Sequence, residues 1–160
     1  EPVIDTRLSS WSVRQFYRVW LQLPYIRDGV VATCSYVISQ AGHQRFTRFP
    51  SVINDDGFVR CQFEPGERRN IPGAQIFISA PRNLSSLIKI KTRARLGNQQ
   101  LAAAKLCPCA EKKPYSRILR EKLFSREAVP VLIYLAITLV IRVRAAWQYR
   151  NVQTYQWEKD

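Results

Sequence analysis

Apolar and polar residues follow two different periods along the first two thirds of the chain. Apolar residues recur at helical spacing over residues 11–23, and Pro24 ends the pattern. A β-branched and aromatic run predicts a buried strand over residues 30–39. Alternation of apolar and polar residues predicts a second strand over residues 74–79.

Two further helices are predicted where polar cap residues precede apolar ones. One starts in the run 54–56 and ends before Pro65. A longer one starts after Asn83, continues through Ala94 and is expected to be interrupted near Gly97. The order helix, strand, helix, strand, helix predicts an α/β layer fold. Since two strands are marginal alone, we expect an N-terminal half to be missing.

The C-terminal third is predicted to hold a linker at 107–114, a basic helix at 116–124 and an uncharged apolar segment at 128–141. A membrane-spanning helix needs about 20 residues, so the apolar segment is short for a span. Three alternatives remain: a helix buried on the domain, an in-plane interfacial helix, and a short span with snorkelling arginines. The basic helix before it favours contact with anionic lipid.

Length and composition describe one ordinary domain with a real core. The chain has 160 residues, of which 46% are hydrophobic, and this content excludes disorder over the whole length. It begins at Glu1 and contains no Met. We therefore expect a processed chain or a piece of a longer one.

The charge balance indicates a polyanionic partner without identifying it. The chain carries 25 Lys and Arg against 12 Asp and Glu, a net charge of +13. Such a surface attracts nucleic acid, acidic lipid headgroups or phosphorylated small molecules. Tyr17, Trp20 and Tyr25 lie near arginines and would suit a nucleic-acid-binding module, although no known nucleic-acid-binding motif occurs.

The four cysteines do not have the spacing of a disulfide scaffold. Cys107 and Cys109, separated by one proline, could hold a metal. A zinc site needs four ligands, however, and the only histidine, His43, is remote in sequence. We therefore expect free cytosolic thiols.

Asp55 and Asp56 form an acidic pair at the start of a predicted helix. Inverting sugar transfer needs one carboxylate that takes the proton of the acceptor hydroxyl. The helix dipole would keep such a carboxylate ionised near neutral pH, and Arg60, one turn after Asp56, could orient it. The alternative is that the pair only caps the helix.

Four basic residues alternate in the helix predicted after Asn83: Lys89, Lys91, Arg93 and Arg95. At helical spacing Lys91 and Arg95 fall beside the apolar stripe, which makes them the better candidates for a semi-buried anion site. An arginine fork suits a pair of diphosphate oxygens. The alternative is a solvated basic face.

Three segments in order resemble glycosyltransferase family 2, the inverting enzymes of the GT-A fold. They are residues 35–42 (SYVISQAG), 49–60 (FPSVINDDGFVR) and 90–98 (IKTRARLGN). The resemblance implies an α/β fold class: the C-terminal part of a GT-A-like fold, followed by an apolar helix. Residues 1–105 would form its acceptor-side half, 106–127 the linker and basic helix, and 128–160 the apolar helix and polar tail.

The resemblance also implies roles for individual residues. Asp56 would be the base, and Asp55 would contact the acceptor or hold the loop. Arg93 and Arg95 would lie near the leaving diphosphate, and helix geometry prefers Arg95. The donor sugar and a divalent metal, Mg²⁺ or Mn²⁺, would be bound mainly by the part of the family fold that precedes these segments, so this chain alone is not expected to catalyse transfer.

The implied partners are a nucleotide-sugar donor and a hydroxyl acceptor, for which a lipid-linked molecule would suit the apolar tail. A membrane surface is a further expected partner, and nucleic acid is not. The expected location is cytoplasmic, at or anchored to the inner face of the cell membrane. Two alternatives without catalysis remain: a basic nucleic-acid-binding module and a membrane-surface structural protein.

Overall fold

A computed structural model describes residues 2–27, 36–46, 48–109 and 115–150. Two strands and seven helices lie in these ranges, with a 3₁₀ turn at Pro65–Glu67. In chain order they are β1 (Pro2–Asp5), α1 (Trp11–Trp20), α2 (Pro24–Arg27), α3 (Gln40–His43), α4 (Asp55–Arg60), β2 (Ile76–Ser79), α5 (Leu84–Ala103), α6 (Ser116–Leu123) and α7 (Ala128–Tyr149).

The two strands pair in parallel, with Pro2 opposite Ile76 and Ile4 opposite Ile78. Parallel strands need a long crossover, and here the chain passes through α1 to α4 before it returns to the sheet. The predicted strand at 74–79 is confirmed in its second half, whereas β1 was not predicted. The described part is thus a helix-rich α/β arrangement, and its assignment to a GT-A-like fold stays a prediction.

The main core lies between α1, α5 and α7. Val13, Leu87 and Val131, one from each helix, are fully buried there. The Phe16 and Tyr134 rings lie 5.1 Å apart across the α1–α7 contact. Burying one such aliphatic side chain contributes about 1.5–3 kcal/mol, so this interface fixes α5 relative to the rest of the fold.

A second, smaller core lies under α4. Phe46, Phe58 and Val59 pack there against Leu101 near the end of α5. The rings of Phe46 and Phe58 meet edge to face at 5.4 Å, the geometry that aromatic pairs favour. This cluster holds α4 against the C-terminal half of α5.

A disulfide between Cys61 and Cys107 joins the end of α4 to the segment after α5. The prediction of free thiols is therefore wrong for these two residues. No local sequence pattern indicates this pairing, because the two cysteines are 46 positions apart. Cys109 is free, and Cys34 lies outside the described residues.

Two predictions about helices have different outcomes. The helix after the polar run is confirmed, since the Asn54 side chain accepts the Gly57 N–H at 3.0 Å and caps α4. The expected interruption near Gly97 is wrong, because α5 is continuous to Ala103. Gly97 is buried in that helix, and its tertiary contact outweighs the cost of about 1 kcal/mol that glycine carries in a helix.

The strand predicted at 30–39 falls mostly outside the described residues. Its last four positions, 36–39, are described and do not form a strand. They lead into α3, where the Ser39 hydroxyl accepts the Gly42 N–H at 3.1 Å.

The C-terminal helices are confirmed, and α7 continues eight residues beyond the predicted end at Ile141. One face of α7 packs against α1 and α5. An ion pair between Arg18 and Glu127 holds the start of α7 to α1. A hydrogen bond from the Lys122 ammonium to the Gln22 side chain ties α6 to the segment that follows α1.

Candidate functional site

The acidic pair occupies the first turn of α4, and both carboxylates are exposed. The side chain that caps α4 is that of Asn54. The alternative that Asp55 and Asp56 serve only as helix caps therefore does not describe their side chains. Neither carboxylate accepts a hydrogen bond from the described residues. Both remain available to a ligand.

The electrostatics of the pair favour a proton acceptor that is more basic than an ordinary aspartate. Partial burial, and then the charge of Asp55, raise the pKa of Asp56. Burial and a neighbouring like charge both disfavour the ionised form of a carboxyl group. A raised pKa moves a carboxylate toward the range in which a general base works efficiently.

Tyr36 lies close to the acidic pair. Burial, followed by the charges of Asp56 and Asp55, raises the pKa of its phenol. The sequence places Tyr36 in the first of the three resembling segments, but nothing in its spacing assigned it to the site. The phenol is thus within electrostatic range of both carboxylates, which makes Tyr36 a further candidate residue of this site.

The loop before α4 is fastened to α5 by three contacts. The Ile53 N–H donates to the side-chain carbonyl of Gln100 at 2.9 Å. The Asn54 amide donates to the Asn98 side chain at 2.8 Å. Gly97 lies against Asn54 so closely that a Cβ atom would have no room. The second and third resembling segments are therefore packed together, and Ile38 of the first segment packs against the small core under α4.

Arg60 lies on the last turn of α4 and is half-buried. Burial raises the pKa of the Tyr25 phenol, and the positive charge of Arg60 lowers that pKa by a smaller amount. Its expected role in orienting Asp56 stays a prediction.

The ammonium of Lys91 lies against aromatic rings of α1, whereas a lysine that binds an anion needs an accessible ammonium. Its ammonium lies 3.6 Å from the centroid of the Trp20 ring and 5.2 Å from that of Tyr17. Burial lowers the pKa of Lys91 to about 7. The side chain is therefore engaged in packing α5 against α1, which makes Lys91 the weakest of the proposed anion-binding residues.

Arg95 is the basic residue best placed to accept an anion. It is half-buried, and its Nε is buried without a hydrogen-bond partner among the described residues. One turn further along α5, the side-chain oxygen of Gln99 is in the same state. A buried donor without a partner costs free energy, so a hydrogen bond from Arg95 to a bound anion would remove that cost. Arg93 is half-buried and already has an interaction partner.

Within the described residues, no group of three or more His, Cys, Asp or Glu side chains could hold a metal ion. Cys107 is consumed by the disulfide. The Cys109 thiol lies beside Glu64, and its hydrogen bond to that carboxylate is the main cause that raises the thiol pKa. A thiol with a raised pKa is a poor metal ligand at neutral pH.

Comparisons with protein-family models, curated proteins and solved structures find no match to this chain. Family and function are therefore argued from the residues and their geometry.

Proposed function

We propose that this chain supplies the acceptor-side half of an inverting glycosyltransferase similar to family 2, with Asp56 as the catalytic base. The observation that carries the proposal is the convergence of three segments. Ile38, the loop that carries the acidic pair and the Gly97 region of α5 come from three separate stretches that resemble the family in the same order, and they pack on one another. If each short segment resembled the family only by chance, there would be no reason for the three segments to pack together.

The chemistry assigned to the site is a single displacement. The Asp56 carboxylate takes the proton of the acceptor hydroxyl as that oxygen attacks the anomeric carbon of the sugar. The bond from the anomeric carbon to the nucleoside diphosphate breaks, and the diphosphate leaves with the bonding electron pair. Asp55 holds the loop or the acceptor, while Arg95 and then Arg93 are the residues proposed near the leaving group.

The donor half of the site is not assigned to residues of this chain. A nucleotide-sugar donor and a divalent cation, Mg²⁺ or Mn²⁺, would be held by the part of the family fold that precedes the three segments. A cation there would neutralise charge on the departing diphosphate. We propose that transfer requires that part together with these 160 residues.

The test is transfer activity of an enzyme that carries both halves, screened against several nucleotide sugars. Asp56→Asn is expected to lower the rate at least 100-fold, the order of magnitude that general base catalysis contributes, while donor binding remains measurable. Glu121→Gln on α6, an exposed carboxylate away from α4, is the matched control and should keep wild-type turnover. Wild-type turnover in Asp56→Asn would remove Asp56 as the base.

The alternative of a nucleic-acid-binding module loses part of its support in the structure. Tyr17 and Trp20 were its candidate stacking residues, but they are only 6% and 8% exposed and belong to the main core. Bases stack on exposed aromatic faces. Tight, salt-dependent DNA or RNA binding combined with an Asp56→Asn variant that keeps every activity would favour this alternative.

A further inference from the structure

Helix α7 has two apolar faces, and only one is covered. The inner face is buried on α1 and α5 through Val131, Tyr134, Ile137, Ile141 and Ala145. The large apolar side chains of the outer face are between 40% and 68% exposed. They are Val129, Leu132, Leu135, Leu139, Val140, Val143 and Trp147. Soluble domains rarely leave a continuous apolar surface of this kind uncovered.

The outer face forms a stripe along the helix. Leu132, Leu139 and Val143 fall within about 40° of one another at 100° per residue. Trp147, 68% exposed, ends the stripe, and an exposed Phe124 precedes α7 by four positions in the sequence. Aromatic side chains at the ends of an apolar stripe are typical of helices at a membrane interface.

The margins of this stripe are positively charged. Arg142 and Arg144 lie on its opposite flanks, and Arg126 and Arg150 lie beyond its two ends. No carboxylate occurs in α7. A groove of about 230 Å³ between α6 and α7 also leads to Arg142 and is lined by apolar side chains that include Leu119 and Leu139. An apolar stripe with cationic margins is complementary to acyl chains below anionic headgroups.

The packing of α7 determines how it can meet a bilayer. By length and composition this helix could cross a membrane, but a third of its most apolar window is buried inside the fold. Along its length it lies against α5, which carries Lys89 and Arg93, and the Arg18–Glu127 ion pair holds its start to α1. An upright span would draw these charged helices into hydrocarbon at high cost.

We propose that the outer face of α7 docks in the plane of an anionic lipid bilayer, with its arginines at the headgroups and the core between α1, α5 and α7 intact. Of the three alternatives that the sequence leaves open, the geometry favours the interfacial helix. This inference rests on the exposed face of α7 and on the packing around that helix, and does not depend on sugar transfer. It would, however, place a transferase beside lipid-linked acceptors.

Flotation of the intact chain with vesicles tests the proposal. Vesicles of phosphatidylcholine mixed with phosphatidylglycerol should bind the protein, and phosphatidylcholine alone should bind much less. The double variant Leu139→Ser with Val143→Ser should lower the bound fraction about tenfold, because it removes two inserted side chains. Arg142→Gln should lower it about fivefold, and this difference should shrink at high salt.

A matched control uses exposed apolar residues elsewhere in the fold. Leu8→Ser with Ile71→Ser changes two side chains that are 73% and 62% exposed, and should leave binding unchanged. Circular dichroism of each variant verifies that the helices are retained. A second readout is quenching of Trp fluorescence by brominated lipid, of which Trp147→Phe should remove a large part.

Three results would overturn the proposal. Binding that is equal with and without phosphatidylglycerol, or unaffected by the Leu139 and Val143 substitutions, would show that the stripe does not dock on anionic lipid. Resistance to alkaline carbonate extraction would indicate a span. A wild-type dimer in sedimentation that becomes monomeric in the double variant, without vesicle binding, would assign the face to a second copy of the chain.

Discussion

Gly97 on α5 lies directly against Asn54, the residue that caps α4. A Cβ atom on Gly97 would lie 2.4 Å from the Asn54 Cβ and 2.8 Å from its backbone nitrogen. Both distances are shorter than any normal contact between these atoms. Only glycine at this position therefore lets α5 pass so close to the loop that carries the acidic pair. The position of Asp56 therefore depends on a residue 41 positions further along the chain.

Gly97→Ala should destabilise the protein even though alanine is the better helix former. The gain in helix propensity is about 1 kcal/mol. The collision with backbone at Asn54 should outweigh it and leave a net loss of about 1–3 kcal/mol. Urea unfolding measures the difference. Gly66→Ala is the control, since a Cβ there meets nothing within 4 Å, and its effect should be small. A Gly97→Ala protein as stable as wild type would contradict the close packing.

The pH dependence of transfer should report the charge of Asp55. Burial and that charge raise the pKa of Asp56, and a base must be ionised to act. In the complete enzyme, Asp55→Asn removes the neighbouring charge and so lowers the Asp56 pKa. The acid limb of kcat/KM should then move to lower pH. Tyr36→Phe should leave the limb in place, because the tyrosine is neutral throughout that range. A limb that stays fixed in Asp55→Asn would argue against Asp56 as the titrating base.

Lys91→Met should stabilise the protein below neutral pH. The pKa of Lys91 is about 7 in the folded protein and 10.5 ordinarily, so between these values the unfolded chain binds more protons. Stability should therefore rise with pH over that window, and at lower pH the buried charge is a cost. The Trp20 ring offsets part of it, which leaves an expected gain of about 1–2 kcal/mol for the methionine variant.

Denaturant unfolding at several pH values checks this expectation. The difference between wild type and Lys91→Met should be largest near pH 6 and should decrease toward pH 10. Lys89→Met is the matched control on the same helix, because Lys89 has no cation–π contact in the described part of the chain. A loss of stability in Lys91→Met at pH 6 would mean that the ring contacts outweigh the burial of the charge.

The local elements of this fold could be predicted because their signals are local. Asn54 followed by two aspartates and an apolar run is a capping pattern, and α4 starts where that pattern indicates. The uncharged run that starts at Ala128 likewise predicts α7. For the candidate site, the order of the segments and their resemblance to a family identified the acidic pair and the basic residues of α5. They carried no information on the distance between the two.

The tertiary relationships could not be predicted in the same way. The pairing of β1 with β2 joins residues more than 70 positions apart, and β1 has only four residues. Helical periodicity placed Lys91 beside an apolar stripe, but not under the Trp20 ring. Glycine in a helix normally indicates an end, and at Gly97 the packing against Asn54 reverses that rule. Each of these features depends on contacts between residues that are far apart in the sequence, and local sequence patterns do not indicate such contacts.

The Cys61–Cys107 disulfide should contribute to stability and to the position of α4. It closes a loop of 46 positions, for which chain entropy predicts a contribution of about 4 kcal/mol, near the upper end of the usual range. Cys61→Ser with Cys107→Ser should lower the free energy of unfolding by about 2–4 kcal/mol, and a reductant should do the same to wild type. Hydrogen exchange should increase most in α4, since the bond follows its last turn.

Cys109→Ser is the matched control, because this thiol is free and lies two positions from Cys107. Its stability should equal that of wild type without reductant, and should fall by the same amount as that of wild type when a reductant is added. Mass spectrometry of unreduced peptides should recover residues 61 and 107 cross-linked from cells. Structural disulfides are typical of oxidising compartments, so such a peptide would weigh against the expected cytoplasmic location. Recovery of free Cys61 and Cys107, together with an unchanged unfolding midpoint in the double variant, would show that the bond has no structural role.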